Sequence, residues 1–307
     1  MKPNMHDNFK LLEERVLDSL EKTDLERIKY HLERIKSPTI TTGVGGSSVV
    51  SNYTAKVLST KNGIIAEHQE PRDMLYKSLT GYSNVIACSY GGKNYGVETS
   101  FDNDLNKYLL SRNESQIESV TSLNYDSSLT DEDSFISLAA TLMPMSIMLA
   151  YYNDNDISVI KEILQTAREY NINMDKVYEI LTGHDTSTAS IYLESTLAEA
   201  GLAIPVIHDK YSFCHGRTTL SYHHDNSLIH LNRNTELDKL YQEELPQYYN
   251  GIITLDSKYE DPILDDFYLT YQTMLLSEKM AELKGRDLSR MDYSPVVKKL
   301  YRYNGQM

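Results

Sequence analysis

Two stretches of the chain share one sequence frame, and this repeat limits the folds open to the chain more than any other feature. Residues 42–48 and 182–188 both read Thr-Gly-x-x-x-Ser. Each stretch lies between a short apolar run typical of a strand and a longer run typical of a helix. Self-similarity of this kind indicates a duplicated structural unit. The sequence therefore predicts two copies of one strand, loop and helix unit within an α/β fold.

The residue types in these two loops are suited to anion binding. Glycine lets the backbone approach a ligand closely, and the helix that follows offers free N–H groups and the positive end of its dipole. A phosphate or a carboxylate would fit such a loop. A glycine-rich turn can also serve only as a tight connection into a helix, and the sequence leaves both interpretations open.

The size and charge of the chain narrow the classes of protein to which it can belong. With 307 residues it is large enough for two packed subdomains or one double-lobed body. Its 44 acidic and 30 basic residues give a net charge of −14, which repels nucleic-acid backbones and anionic membranes. We therefore expect neither nucleic acid nor a membrane as a partner.

Three features bear on the location of the protein. Cys88 and Cys214 are too few for a disulfide framework, and residues 1–10 lack the apolar run of a secretory signal. Residues 135–152 carry no charge, but acidic clusters flank them and no basic residue anchors them. A buried helix is therefore favoured over a membrane span. We expect a cytoplasmic protein.

The order of the predicted elements supports the same fold class. Strand-like runs alternate with helix-like runs such as 47–58 and 187–200, so the sheets should be parallel and doubly wound. Residues 101–133 are polar and are predicted to form a loop-rich connection with one candidate strand at 120–123. The other predicted strands lie at 39–42, 63–67, 84–89, 178–182, 203–207, 228–231 and 251–255.

The motifs and their spacing resemble those of the sugar isomerase (SIS) family of double-lobed phosphosugar proteins. Residues 43–47 are similar to the glycine-rich opening of phosphoglucose/phosphomannose isomerases, and residues 89–94 lie where the family has a Ser-x-Ser-Gly-x-Thr phosphate loop. Residues 193–199 with the later pair His215-Gly216 resemble the isomerase lobe of glucosamine-6-phosphate synthase, as does the tail 285–298. The resemblance covers nearly the whole chain.

This resemblance implies an α/β fold of two similar SIS subdomains. Each would be a three-layer αβα sandwich around a parallel sheet, as in flavodoxin-like folds. The implied organisation is an N-terminal pair of helices at 1–37, a first SIS subdomain at 38–171, a second at 172–290 and a C-terminal tail at 291–307 that closes the site. Families of this type pair their lobes across dimers, so a homodimer is expected.

The resemblance also implies a reaction, the interconversion of an aldose and a ketose through an enediol. Glu199 would carry the proton between carbons, His215 would open the sugar ring from a neighbouring subunit, and Lys298 would neutralise the enediolate or hold phosphate. The residues themselves are compatible with these roles. Glu199 falls in the last turn of a predicted helix, where the dipole and partial burial would raise the pKa of a carboxylate. An imidazole such as His215 titrates near neutrality.

The predicted substrate- and phosphate-binding residues lie in three segments and are Gly45, Gly46, Ser47, Ser48, Ser89, Gly91, Gly92, Asn94 and Ser137. Two of them depart from the family pattern, because Gly91 and Asn94 replace a serine and a threonine of the phosphate loop. No organic cofactor is expected, and no histidine or acid cluster has metal-site spacing. Two alternatives remain open, a non-catalytic sugar-phosphate sensor and a fructosamine-type deglycase.

Overall fold

The structure is a computed structural model that describes residues 4–166, 170, 172, 174–223, 225–290 and 295–296. Three helices open this part of the chain: α1 (Met5–Lys10), α2 (Leu12–Lys22) and α3 (Leu25–Leu32). Leu12, Val16 and Leu20 recur at helical spacing on α2, and all three are buried. Amphipathic spacing therefore decides which face of this helix packs inward.

The first subdomain is built around a five-stranded parallel sheet with the order β2-β1-β3-β4-β5. Its elements are β1 (Thr39–Thr42), α4 (Gly46–Asn62), β2 (Ala66–His68), β3 (Asn84–Cys88), α5 (Tyr95–Ser100), β4 (Asn106–Ser111) and β5 (Val120–Asn124). The chain leaves β1 toward one edge of the sheet and leaves β3 toward the other. The crevice between the carboxyl ends of β1 and β3 is therefore a topological switch point, where open α/β sheets bind ligands.

One prediction for this subdomain is wrong. Residues 101–133 contain β4 as well as the candidate strand that became β5, so the segment is less loop-rich than expected. In β4 only the last three residues are buried, while Asn106 is exposed. The first half of β4 is polar, so its sequence lacks the apolar run that indicates a buried strand.

The second subdomain repeats the plan with a four-stranded parallel sheet, ordered β7-β6-β8-β9. Before its sheet come α6 (Ala139–Tyr152) and α7 (Ser158–Leu164). Its strands and helices are β6 (Val177–Thr182), α8 (Ser187–Glu199), β7 (Ile204–Asp209), α9 (Lys210–Ser212), α10 (Thr218–His223), β8 (Ser227–Asn232), α11 (Glu236–Glu244), β9 (Ile252–Asp256) and α12 (Pro262–Leu283). The predicted α/β fold with two parallel-sheet sandwiches is confirmed.

The two sheets lie within the predicted ranges 38–171 and 172–290, whose boundaries stay predictions. The uncharged segment forms the buried helix α6, as favoured from the sequence. It packs against α2, α3, α4 and α12, between the N-terminal helices and the subdomains. Within the described part of the chain, every helix is too short or too polar to cross a membrane.

The subdomains are joined where α4 meets α8 and α12. Asn52 of α4 accepts hydrogen bonds from Ser187 and Thr188 at 3.3 and 3.0 Å. One turn later, the Lys56 ammonium pairs with the Asp266 carboxylate of α12, and both side chains are buried. A buried carboxylate and a buried ammonium are each strongly destabilising without the opposite charge beside them. The pair therefore holds α4 in position against α12.

Replacing Asp266 with Asn should destabilise the protein by about 3–5 kcal/mol, because the Lys56 ammonium would be left buried without a counter-charge. The matched control is Asp73→Asn, which breaks the exposed Asp73–Lys77 pair, 53% exposed on both sides. That change should cost less than about 1 kcal/mol. Urea unfolding of both variants measures the difference, and equal losses would contradict the structural role of the buried pair.

Candidate functional site

The first glycine loop leaves the N-terminus of a long helix open. Gly45 precedes α4 with a φ of 59°, and no side chain of the described chain caps the helix. Ser48 Oγ donates to the carbonyl oxygen of Gly45 at 2.7 Å, while Ser47 is partly exposed. The Ser47 and Ser48 amides donate to the carbonyl oxygens of Val44 and Gly45 at 3.2 and 2.8 Å, and the helix start lies at the positive end of the dipole. This loop therefore retains the capacity to bind an anion.

The loop after β3 is held in shape by its own hydrogen bonds. Ser89 Oγ accepts from the Gly92 amide at 3.2 Å and from Asn94 Nδ2 at 3.3 Å. Asn94 Oδ1 in turn accepts from the Val97 amide at 2.9 Å, so Asn94 caps α5. At Gly91 an added Cβ would meet nothing within 4 Å. The loop is thus pre-shaped, with empty space where the family places a serine.

The two loops and the start of α6 come together. A Cβ at Gly96 would lie 2.9 Å from Cγ2 of Val44 in the first loop. A Cβ at Gly46 would lie 2.9 Å from Cβ of Ser137 and 3.0 Å from Oγ1 of Thr141. Close approaches of this kind require glycine. The structure therefore places the three predicted binding segments around the switch point of the first sheet.

A buried carboxylate supports the third segment. Glu132 accepts hydrogen bonds from the amides of Leu138, Ala139 and Ala140 at 3.1, 2.6 and 3.3 Å, at the N-terminus of α6. Burial raises the pKa of Glu132 to about 7, although these amides and the nearby Arg15 oppose the rise. Glu132 thus fills one helix N-terminus beside Ser137. In the sequence this acid is recognisable only as part of the acidic cluster before the uncharged segment.

A second unpredicted cluster braces the Ser89 loop from outside. Tyr90 OH donates to Asp131 Oδ1 at 2.7 Å, and Arg112 Nη1 donates to Tyr90 OH at 2.9 Å. Arg112 also pairs with the Asp131 carboxylate and donates to the Ser127 carbonyl oxygen. Burial and the bond to Asp131 raise the pKa of Tyr90 to about 12, so the phenol stays protonated. The residues that follow β3 are thereby tied to the segment before α6.

The second glycine loop differs from the first, because its own side chains close it. The Gly183 amide donates to Thr186 Oγ1 at 3.0 Å, and the Ala189 amide of α8 donates to Asp266 Oδ1 at 3.1 Å. Arg233, which follows β8, lies 3.0 Å from Asp185 and 2.6 Å from Asp265. These contacts fill the switch point of the second sheet. Of the two interpretations that the sequence left open for this loop, the structure therefore favours a tight connection into the helix over an anion-binding loop.

The predicted reactive residues are not gathered in the described part of one chain. Glu199 ends α8 exposed and accepts from Ser195 Oγ at 2.7 Å, so its expected partial burial is wrong for the single chain. His215 lies exposed at a kink within Phe213–Arg217, where the backbone of His215 and Gly216 is not helical. Lys298 and most of the tail lie outside the described residues. Glu194, on the same helix as Glu199, is only partly exposed. Its burial, and to a smaller extent the charge of Glu199, raise the pKa of Glu194.

Known structures share this architecture, although neither a protein-family model nor a curated protein sequence matches the chain. It superposes on tagatose-6-phosphate ketose/aldose isomerase from Escherichia coli with a TM-score of 0.71 at 14% identity, covering 95% of this chain and 96% of that one. It also superposes on the C-terminal domain of glucosamine-fructose-6-phosphate aminotransferase from Francisella tularensis. That match has a TM-score of 0.69 at 13% identity and covers 95% of this chain and 99% of that one.

Glucosamine-6-phosphate deaminase from Thermotoga maritima gives a TM-score of 0.68 at 14% identity, covering 90% of this chain and 96% of that one. At such identities the likeness concerns the fold. The chain therefore has the double-lobed fold of SIS-domain phosphosugar proteins, as the sequence resemblance implied.

The raised pKa of Glu132 predicts a pH-dependent stability. Between pH 4.5 and 7 the Glu132 carboxyl is protonated in the folded chain and ionised in the unfolded chain. The contribution of Glu132 to the free energy of unfolding therefore falls as the pH rises through this range. The Glu132→Gln variant has no carboxyl group at this position, so this pH dependence of the stability is lost. The free energy of unfolding of Glu132→Gln relative to the parent protein should therefore rise by up to about 3 kcal/mol across this window. Urea unfolding at pH 5 and pH 8 measures it, and a pH-independent difference would contradict the assignment.

Proposed function

We propose that the protein binds a phosphorylated or otherwise anionic sugar at the switch point of the first sheet. The observation that supports this most is the uncapped N-terminus of α4, which lies against Ser137 and beside the loop that starts at Ser89. Two other helix N-termini of the chain, those of α6 and α8, already receive carboxylates from Glu132 and Asp266. The start of α4 has no such carboxylate, and an external anion is its proposed occupant.

The hydroxyl and amide groups around this point suit a sugar phosphate. Ser47 and Ser48 lie in the first turn of α4, and Ser137 shares a 2.9 Å hydrogen bond with Thr141 across from them. Hydroxyl groups both donate and accept, so they can bind phosphate oxygens as well as sugar hydroxyls. The structural relatives described as phosphosugar enzymes support the same ligand class.

We further propose that the bound sugar is isomerised between aldose and ketose forms through an enediol. The reaction needs one group that carries a proton between adjacent carbons and one that protonates and deprotonates ring oxygens. Glu199 and His215 are the proposed pair. The exposure of His215 in the single chain fits a homodimer in which His215 reaches the site of the second copy, whereas the exposure of Glu199 weighs against the isomerase.

Two other functions use the same site. A sugar-phosphate sensor would bind without turnover, and the exposure of Glu199 favours this second candidate over catalysis by an isolated chain. A deglycase would use the same enolisation to release an amine from a fructosamine-like substrate. These functions differ in chemistry and not in fold.

The gap at Gly91 gives a direct test of phosphate binding. Gly91→Ser would return a hydroxyl to the loop without a clash, since an added Cβ meets nothing within 4 Å. If a phosphate lies there, fructose 6-phosphate should bind up to about tenfold more tightly, the value of one additional hydrogen bond to a charged group. Gly91→Ala is the matched control. Equal affinities of the Ser and Ala variants in calorimetric titrations would argue against phosphate at this loop.

Solvent exchange tests the isomerase chemistry. In deuterated water the enzyme should incorporate deuterium at the carbon next to the carbonyl of fructose 6-phosphate or a related hexose phosphate, and Glu199→Gln should slow this at least about 100-fold. Glu194→Gln, on the same helix, should exchange at the parent rate. The reverse pattern would give the base role to Glu194, whose pKa is raised.

The same assay separates the alternatives. Tight binding without exchange for every hexose phosphate would contradict catalysis and support the sensor. Release of an amine from fructosamine 6-phosphate, followed by ammonia or amino-acid detection, would support the deglycase.

A further inference from the structure

Glu132 lies next to the proposed anion site. Its Oε1 accepts from the Leu138 amide at 3.1 Å, and the residue before Leu138 is Ser137. Ser137 in turn lies against the start of α4, since a Cβ added at Gly46 would be 2.9 Å from Ser137 Cβ. One residue therefore separates the buried carboxyl group of Glu132 from the helix start at which we propose that an anion binds.

Hydrogen bonds to the backbone of α6 connect Glu132 to this residue. Both carboxyl oxygens take part, because Oε1 accepts from the amides of Leu138 and Ala140, and Oε2 accepts from the amides of Leu138 and Ala139. Glu132 itself is 6% exposed. These bonds hold the start of α6 in place, and with it the position of Ser137 directly before that start.

Arg15 of α2 is a cation that faces Glu132. The Arg15 side chain is 3% exposed and donates to Asn8 Oδ1 at 3.0 Å. Burial raises the pKa of Glu132, while the amides of α6 and then the charge of Arg15 act against the rise. The phenols of Tyr125, which follows β5, and Tyr192 of α8 also interact with the Glu132 charge. Burial raises the pKa of both phenols, so of these groups Glu132 is the one that changes charge near neutral pH.

Two acids flank Glu132 along the chain. Asp131 and Asp133 are exposed at the surface, and Asp131 pairs with Arg112. Water and salt screen exposed charges, whereas the buried carboxylate of Glu132 is screened much less. The charge of Glu132 therefore has the larger effect on an anion at the start of α4.

An anion at the start of α4 and an ionised Glu132 would repel each other. Like charges at close range in a partly buried environment disfavour each other strongly. Protonation of Glu132 removes this repulsion and leaves the amides of α6 facing a neutral group, so that more of the positive end of the helix dipole acts on the ligand. Both effects have the same direction. The anion should bind more tightly when Glu132 is protonated.

We propose that Glu132 is a positioning residue of the first site, and that anion binding there is coupled to protonation of its carboxyl group. This inference rests on the proposed function, because it needs an anionic ligand at the start of α4. By linkage, the ligand raises the proton affinity of Glu132 by the same factor by which protonation raises the affinity for the ligand.

The carboxyl group titrates in the range where such coupling is measurable. Burial raises the pKa of Glu132 to about 7, so both protonation states are populated near neutral pH. Protonation is lost as the pH rises through this value. The affinity for the anion should therefore fall with rising pH.

Calorimetric titration of fructose 6-phosphate at pH 6 and pH 8.5 tests the coupling. The dissociation constant of the parent chain divided by that of Glu132→Gln should rise at least about fivefold between these values. The ratio cancels the ionisation of the ligand phosphate near pH 6, which affects both proteins alike. A purely structural role of Glu132 would change the affinity equally at both pH values. Glu98→Gln, which removes an exposed carboxylate of the same subdomain, is the control and should keep the pH profile of the parent.

Proton uptake by the unaltered chain gives a measurement that does not depend on the folding of Glu132→Gln. At pH 8 the ligand phosphate is already ionised, so titrations in buffers of different ionisation enthalpy report protons taken up by the protein. A tenfold coupling predicts uptake of about 0.4 proton per ligand. Binding without proton uptake, or a ratio that is the same at both pH values, would overturn the coupling and leave the proposed binding site intact. Absence of binding at both pH values would contradict the proposed function as well.

Discussion

The amides at helix N-termini are the constraint on which the arrangement of this protein depends. Each helix start leaves donors that need an acceptor. At α8 the acceptor is Asp266, which also pairs with Lys56 and so locks the two subdomains together. At α6 it is Glu132, buried beside Ser137. At α4, between these two, no side chain of the described chain caps the helix. The proposed anion site is a helix start without such an internal carboxylate.

This constraint explains why a duplicated unit has unequal halves. Both sheets have a switch point, but Arg233 and its acids fill the second one, whereas at the first one Gly46 and Gly96 lie directly against Ser137 and Val44. A guanidinium held by Asp185 and Asp265 satisfies the second loop permanently. The second subdomain then contributes helices that support the first site.

The fold was largely predictable from the sequence, because repeated frames and strand-helix alternation are local signals. The repeated Thr-Gly-x-x-x-Ser frame predicted the two α/β units, and the charge-free stretch predicted the buried α6. β4 escaped prediction because its first residues are polar. Local sequence patterns do not show that distant side chains such as Arg233 occupy the switch point of the second sheet.

The site was predictable in part, for a related reason. Glycines and hydroxyl residues after strands marked the three candidate binding segments, and the fold places these segments next to one another. The role of Glu132 depends on helix amides folded against it, and the closure of the second loop depends on Asp266, which lies 77 positions beyond its partner amide. The exposure of Glu199 likewise follows from packing and not from its place at a helix end.

The open start of α4 is the proposed anion site of the protein. Isothermal titration of inorganic phosphate and hexose 6-phosphates into the parent chain and Gly46→Ala tests it most directly, with circular dichroism to verify folding. We expect binding to the parent chain that is lost in the variant, because the added methyl group would lie 2.9 Å from Ser137 Cβ. Absence of binding to the parent chain, or equal binding to a folded Gly46→Ala variant, would contradict it.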